Sequence, residues 1–235
     1  MRKLMVANYK MNGDSKFYKT VQKTFKNLKV KDTEIVLCPP FVYLSILKNI
    51  GNNLNLGCQD ISNDVNNKST GQISPSMLKE FDVKYAIVGH SERREIGENN
   101  NIITKKLNVA FSNNIIPILC VGEKHGENAE EILISQLKES LNGVAYNNFI
   151  IAYEPIWAIG SGCVATNKII NSAVKIIKNS LTKLGYKNIP ILYGGSVNDK
   201  NYKELLKTRI DGFLLGGISL KLKEFTQLVE GVDNE

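Results

Sequence analysis

The chain has 235 residues, room for two modest domains or one large α/β barrel. Its 43% hydrophobic and 23% charged content is that of a soluble globular protein, and no apolar run approaches the roughly 18 residues that cross a bilayer. Thirty Lys and Arg against 23 Asp and Glu give a formal charge of +7, but the lysines are scattered and no nucleic-acid-reading motif occurs, so the expected partner is a small anion, with no nucleic acid and no membrane.

The chain opens on a basic pair and a short apolar run that turns polar at Asn8. That is too early for a signal peptide, so residues 4–9 read as a first strand. Asn8 and Lys10 lie at its end. Asp14, after Gly13, is a candidate N-cap for an amphipathic helix over 14–28 carried by Phe17, Val21, Phe25 and Leu28. Strands follow at 34–38 and 54–59. The segment 60–75 is rich in Asn, Ser and Asp and long for a compact connection, which leaves two readings: a projecting loop that packs on another subunit, or disorder.

The next strand, 85–89, runs directly into Gly89-His90-Ser91-Glu92-Arg93-Arg94. Its polar residues look like the first turn of a helix, which sets His90 beside amide donors and a positive helix end that disfavours the imidazolium. A strand over 116–121 contains Cys120, and a helix over 130–141 is carried by Ile132, Leu133, Leu137 and Leu141. Residues 149–153 form a β-rich run that delivers Glu154. Pro155 stops that run because proline fixes φ and cannot donate a ladder hydrogen bond. Residues 155–162 are apolar without a period and close on Gly160-Ser161-Gly162, as a lid on a flexible hinge would. Thr166 is a candidate cap for a helix over 168–184 whose stripe includes Ile169, Ile170, Ala173, Ile176, Ile177, Leu181 and Leu184, and Gly185 would end it. The last two strands, 189–193 and 212–215, end in glycine pairs, Gly194-Gly195 before Ser196 and Gly216-Gly217 before a helix capped at Ser219.

Short, nearly continuous apolar runs are the pattern of parallel strands buried on both faces. Alternating with helices and with no linker of unusual composition, they predict an α/β chain forming one closed (β/α)8 barrel of eight parallel strands over residues 1–235. An open doubly wound sheet would need a glycine fingerprint after its first strand, which Asn8-Tyr9-Lys10-Met11-Asn12-Gly13 does not supply. Cys38, Cys58, Cys120 and Cys163 lack paired spacing and only His90 and His125 accompany them, so no Cys/His metal cluster is expected and a cytoplasmic, reduced chain is.

In such a barrel chemistry sits at the carboxyl ends of the strands. Those ends hold Asn8, Lys10, His90, Glu154 and the two glycine pairs. Glycine lets main-chain N–H groups approach an anion closely, so the pairs suit a phosphate; alone, each could be a tight turn. Glu154 suits proton abstraction under a lid, or a rim ion pair. A neutral His90 can donate to an oxygen gaining charge, or be structural. Lys10 can neutralise a phosphate, form a Schiff base as in an aldolase, or be a solvated rim lysine.

Together these motifs resemble the triosephosphate isomerase family, from Asn8-Tyr9-Lys10-Met11-Asn12 through 89–94, 152–162, 193–197 and 212–220, in the family's order and at about its spacing. The resemblance implies interconversion of dihydroxyacetone phosphate and D-glyceraldehyde 3-phosphate, in glycolysis and gluconeogenesis, by a cytoplasmic homodimer without metal or organic cofactor. It implies Glu154 as the base, His90 as neutral electrophile, and a closing lid, roles for which this family is itself a reference case. By the same resemblance Lys10 and Asn8 contact substrate, Gly160, Ser196, Gly216 and Gly217 hold the phosphate, Glu92 supports Lys10, and Cys120 packs near the base. Gln59 and Thr70-Gly71 match the family's dimer segments. Tyr9, Ser161, Cys163 and Gln72 depart from the family's usual Trp, Thr, Lys and Glu; they bear on lid kinetics and dimer strength and leave every implied catalytic group in place. The chain is short for the family, which implies trimmed helices or loops. Besides the isomerase, a Schiff-base aldolase on Lys10 and a non-catalytic phosphate-binding or adhesion protein are the competing readings.

Overall fold

Each apolar run becomes a strand sealed between a barrel interior and an outer layer of helices, which is why its hydrophobicity is nearly unbroken. The computed structural model describes residues 3–235 apart from 49, 52, 53 and 65–67. The strands are β1 (Leu4–Asn8), β2 (Glu34–Cys38), β3 (Leu54–Cys58), β4 (Val83–Val88), β5 (Ile116–Val121), β6 (Ile150–Tyr153), β7 (Ile191–Tyr193) and β8 (Gly212–Leu215). They pair in parallel in sequence order and close into a barrel, with Val6 beside Val36 of β2 on one side and Leu214 of β8 on the other. The expected (β/α)8 architecture is what forms.

The helices among the described residues are α1 (Ser15–Asn27), α2 (Leu44–Leu47), α3 (Pro75–Lys79), α4 (Ser91–Glu95), α5 (Asn100–Ser112), α6 (Ala129–Ser140), α7 (Asn167–Lys183), α8 (Tyr202–Leu206) and α9 (Leu222–Asp233). Asp14 and Thr166 cap α1 and α7 as expected, accepting from the N–H groups of Phe17 and Ile169. Gly185 takes φ +90° after α7, and Tyr186 N–H reaches back to the Leu181 carbonyl, the closure that a left-handed glycine permits. No helix among the described residues is long and apolar enough to cross a membrane.

Three local expectations need correction. Ser219 does not cap a helix: it lies inside a 3-10 turn, Gly217–Leu220, where its hydroxyl donates to the Gly216 carbonyl, and α9 starts at Leu222 after Lys221. The seventh strand starts at Ile191 because Pro190 has no N–H for the ladder; its carbonyl still accepts from Ile151. Ile169 in α7 and Leu184, its C-cap, face solvent, and Val174 joins Ile170, Ala173, Ile177 and Leu181 on the buried stripe. The tip of the 60–75 loop, residues 65–67, lies outside the described residues. Its base is ordered, with Ser62 N–H donating to the Ile73 carbonyl and the Ser62 hydroxyl to Gln72 Oε1.

The core has two layers. Strand–helix packing holds residues such as Met5, Phe25, Leu37, Leu107, Ile177 and Phe225. Inside the barrel sit Leu4, Val6, Val36, Ile87, Ile118, Ile150, Ala152, Leu192 and Leu214. Strand side chains alternate with period 2, so this inner series can be followed upward. Leu4 and Val6 lead to Asn8, Ile150 and Ala152 lead to Glu154, and Leu192 and Leu214 lead to Gly194 and Gly216. The same alternation that fills the barrel delivers polar groups to its mouth.

Candidate active site

The barrel mouth holds a cavity of about 280 Å³ whose walls include Asn8, Lys10, His90, Glu154, Gly160, Ser196, Gly216 and Gly217. All eight residues that the sequence nominated for catalysis or substrate binding therefore line one space. A larger depression of about 570 Å³ opens beside it, toward Gln59 and residues 71–73. The smaller one contains the paired His90 and Glu154 and the glycine wall, so it is the candidate for chemistry.

Glu154 and His90 face each other, with His90 Nε2 3.4 Å from Glu154 Oε1 and both side chains about 5% exposed. His90 is the N-cap of α4, and its Nδ1 accepts the Glu92 N–H at 3.2 Å. In a neutral ring this puts the proton on Nε2, aimed into the cavity. The other carboxylate oxygen, Glu154 Oε2, is buried and has no hydrogen-bond partner. A lone pair kept dry and unpaired is unfavourable to folding and available to a bound molecule.

Two glycines make room for this carboxylate. A Cβ at Gly194 would stand 2.7 Å from Glu154 Cγ, and one at Gly122 would stand 1.8 Å from the Glu154 carbonyl oxygen. Gly122 thus lets β5 and the start of the lid pass in contact. We expect Gly122→Ala to push the Glu154 backbone aside and cost about 1–3 kcal/mol or more, read as a lower denaturation midpoint.

Lys10 has φ +50°, a left-handed conformation that only the surrounding structure can enforce. Its N–H donates to Asn8 Oδ1 at 3.0 Å, and its carbonyl accepts from Gln59 Nε2 at 2.9 Å. Its ammonium meets Glu92 Oε1 at 2.6 Å. Glu92 thus touches both Lys10, through an ion pair, and His90, through its backbone. Cys120, fully buried behind the site, has its thiol pushed well up by desolvation and then by the Glu154 charge, so it packs as a neutral group.

On the opposite wall the N–H groups of Ser196, Gly216 and Gly217 make no hydrogen bond among the described residues. The Ser196 hydroxyl donates to the lid carbonyl of Ala158 at 2.9 Å. Main-chain donors without partners, from two strand ends that line one cavity, are groups from which an anion nest can be made.

Comparison with known proteins places the chain in a family. A family model described as triosephosphate isomerase matches residues 3–232. The chain belongs to the triosephosphate isomerase family. A protein of Thermoanaerobacter sp. (strain X514) carrying that name is 41% identical over 244 aligned residues, covering 97% of this chain and 98% of the relative. One from Dehalococcoides mccartyi (strain CBDB1) is 41% identical over 243, covering 97% and 96%. One from Buchnera aphidicola subsp. Cinara cedri (strain Cc) is 38% identical over 249, covering 98% of each.

The candidate lid is anchored at one end and exposed at the other. A 3-10 turn, Ile156–Ala158, follows Glu154-Pro155. Glu123 Oε1 accepts from both Trp157 Nε1 at 3.0 Å and the Tyr153 hydroxyl at 3.1 Å. Residues 160–164 are exposed, with Gly160 and Gly162 at φ +65° and +77°. Ser161 accepts from Cys163 N–H and donates to the Trp157 carbonyl, and Cys163 is an exposed thiol. Tyr9 is wholly buried among Phe17 and Tyr18, its hydroxyl without a partner. Sequence reading missed Glu123, Gly122 and Arg94. Only Gly122 carried a signal, as a glycine following an apolar strand.

Proposed function

We propose that the chain interconverts dihydroxyacetone phosphate and D-glyceraldehyde 3-phosphate by proton transfer through an enediolate. The observation that carries this reading is Glu154 and His90, 3.4 Å apart, in one cavity with a lysine and an unpaired main-chain nest. Glu154 takes a proton from the carbon next to the carbonyl, and the oxygens of the resulting enediolate face His90 Nε2–H and Lys10. Proton return to the neighbouring carbon completes the isomerisation. The phosphate lies against Ser196, Gly216 and Gly217, with Gly160 closing from the lid. Closure of 155–162 excludes water and protects an intermediate that would otherwise eliminate phosphate. No metal or organic cofactor takes part, and the reaction serves glycolysis and gluconeogenesis in the cytoplasm.

The Schiff-base alternative is disfavoured by the surroundings of Lys10. A nucleophilic amine is activated by apolar or cationic neighbours, whereas this ammonium sits on Glu92. The same reading includes a homodimer through the 60–75 loop. It is supported by Met11, 97% exposed, and Ile96, 71% exposed, which flank the depression bordered by Gly71, Gln72 and Ile73. A coupled assay with purified protein tests the function: we expect turnover of either triose phosphate without added metal. No isomerisation in either direction rejects it.

A further inference from the structure

Arg93 and Arg94 are adjacent in sequence and occupy different worlds. Arg93 is part-exposed and reaches Asp60 and Glu98, as a surface arginine does. Arg94 turns inward beneath the barrel rim, and all three of its hydrogen bonds go to uncharged oxygens. Its Nε donates to the Gly89 carbonyl at 2.8 Å, Nη2 to the Cys120 carbonyl at 3.1 Å and Nη1 to Asn100 Oδ1 at 2.7 Å. Burial pulls its pKa down, while neighbouring Cys120 and Glu154 act the other way.

A half-buried guanidinium held only by uncharged oxygens gives up the carboxylate partners that Arg93, one residue earlier, keeps. What it holds explains its position. Gly89 directly precedes His90. Cys120 is paired in register with Ala152, and the next β5 carbonyl, Val121, accepts the Glu154 N–H at 2.8 Å. Arg94 therefore ties the end of the strand that presents the imidazole to the end of the strand on which the carboxylate hangs. It also borders the gap of about 10 Å³ behind Glu154, shared with Ser91, Cys120 and Gly122, and it does not line the substrate cavity.

We propose that Arg94 is a positioning residue: by gripping the Gly89 and Cys120 carbonyls in one rigid fork, it fixes the separation of His90 and Glu154 without meeting the substrate. The planar guanidinium suits this task because its donors leave in fixed directions, whereas lysine offers one rotating point charge. Asn100 completes the grip, since it also donates to Glu139 Oε2 and accepts from the Ser140 hydroxyl, tying Nη1 to α6.

The inference rests on the isomerase reading, so the wild-type assay comes first; a wild-type protein without turnover sinks that reading, not this one in particular. Arg94→Lys and Arg94→Gln are then compared with it. Competent sites are counted by calorimetric titration with a two-carbon phosphoester carboxylic acid that mimics the enediolate. Misplacement of reacting groups by an ångström costs on the order of 10²-fold in rate, so kcat per competent site should fall by roughly 10- to 100-fold in both variants, with KM within about threefold. A merely structural arginine would lower thermal stability and the number of competent sites while leaving kcat per site unchanged, and that result overturns the proposal. Full recovery of kcat by Arg94→Lys overturns it as well. If neither variant folds, Asn100→Ala decides: it frees Nη1 from α6, together with the Glu139 and Ser140 bonds, and leaves the donors to Gly89 and Cys120 in place, so kcat per site should drop several-fold, and a wild-type value refutes the grip.

Discussion

Glu154→Gln is expected to lower kcat by about 10³- to 10⁴-fold, the upper range for loss of a positioned general base. The amide nearly matches the carboxylate in shape and fits the slot left by Gly194 and Gly122, so the backbone has no reason to move. What disappears is proton affinity at a buried carboxylate, one oxygen of which, Oε2, is unpaired while the other, Oε1, stands 3.4 Å from His90. The anion nest is built from other strand ends, so affinity for a phosphorylated analogue should stay within several-fold of wild type. Steady-state kinetics and calorimetry read the two quantities separately. A variant that keeps more than about a tenth of wild-type kcat denies Glu154 its role.

The second large effect concerns stability. Lys106 on α5 is almost fully buried, and its ammonium contacts both Asp60 and Glu98. Arg93 joins the same two carboxylates from the surface. Desolvation pushes Asp60 up, opposed first by Lys106, and Glu98 Oε2 already has no partner. Lys106→Met would leave two carboxylates around one part-exposed arginine. Breaking a buried ion cluster from one side costs about 3–5 kcal/mol, so the denaturation midpoint should drop by an amount of that order. Adding Glu98→Gln to the same variant should recover part of the loss, because one uncompensated charge is removed. An unchanged midpoint in Lys106→Met would mean that water already solvates the cluster.

Much of this fold was legible because the barrel writes itself in a simple code. Runs such as 116–121 and 212–215 match the observed strands to the residue, since strands buried on both faces admit little else. The site was legible for a related reason: Glu154, Gly194 and Gly216 stand where the inner period-2 series leaves the barrel, whereas His90 falls one residue past the inner series of β4, Tyr85 and Ile87, after Gly89 with φ +70°. Other features escaped. The helix α5 has a buried stripe of Ile103, Lys106, Leu107 and Ala110, and the lysine in it breaks the apolar pattern. Ser219 had the composition of a cap, but its hydroxyl is spent within a 3-10 turn that sequence spacing does not reveal. Arg93 and Arg94 are indistinguishable as letters, and only the three-dimensional course of α4 turns one outward and one inward. Glu123 gave no signal because its partners, Tyr153 and Trp157, lie 30 residues or more away in sequence.

The most direct test of Glu154-driven carbon proton transfer is isomerisation in heavy water, followed by NMR of the product. Deuterium should enter at the carbon that gains the proton, because a proton held on a carboxyl oxygen is exchangeable whereas one moved as hydride is not, and Glu154→Gln should lose exchange and turnover together. Complete retention of the substrate's hydrogen at that carbon, with normal turnover, would point to an internal hydride shift and contradict the mechanism.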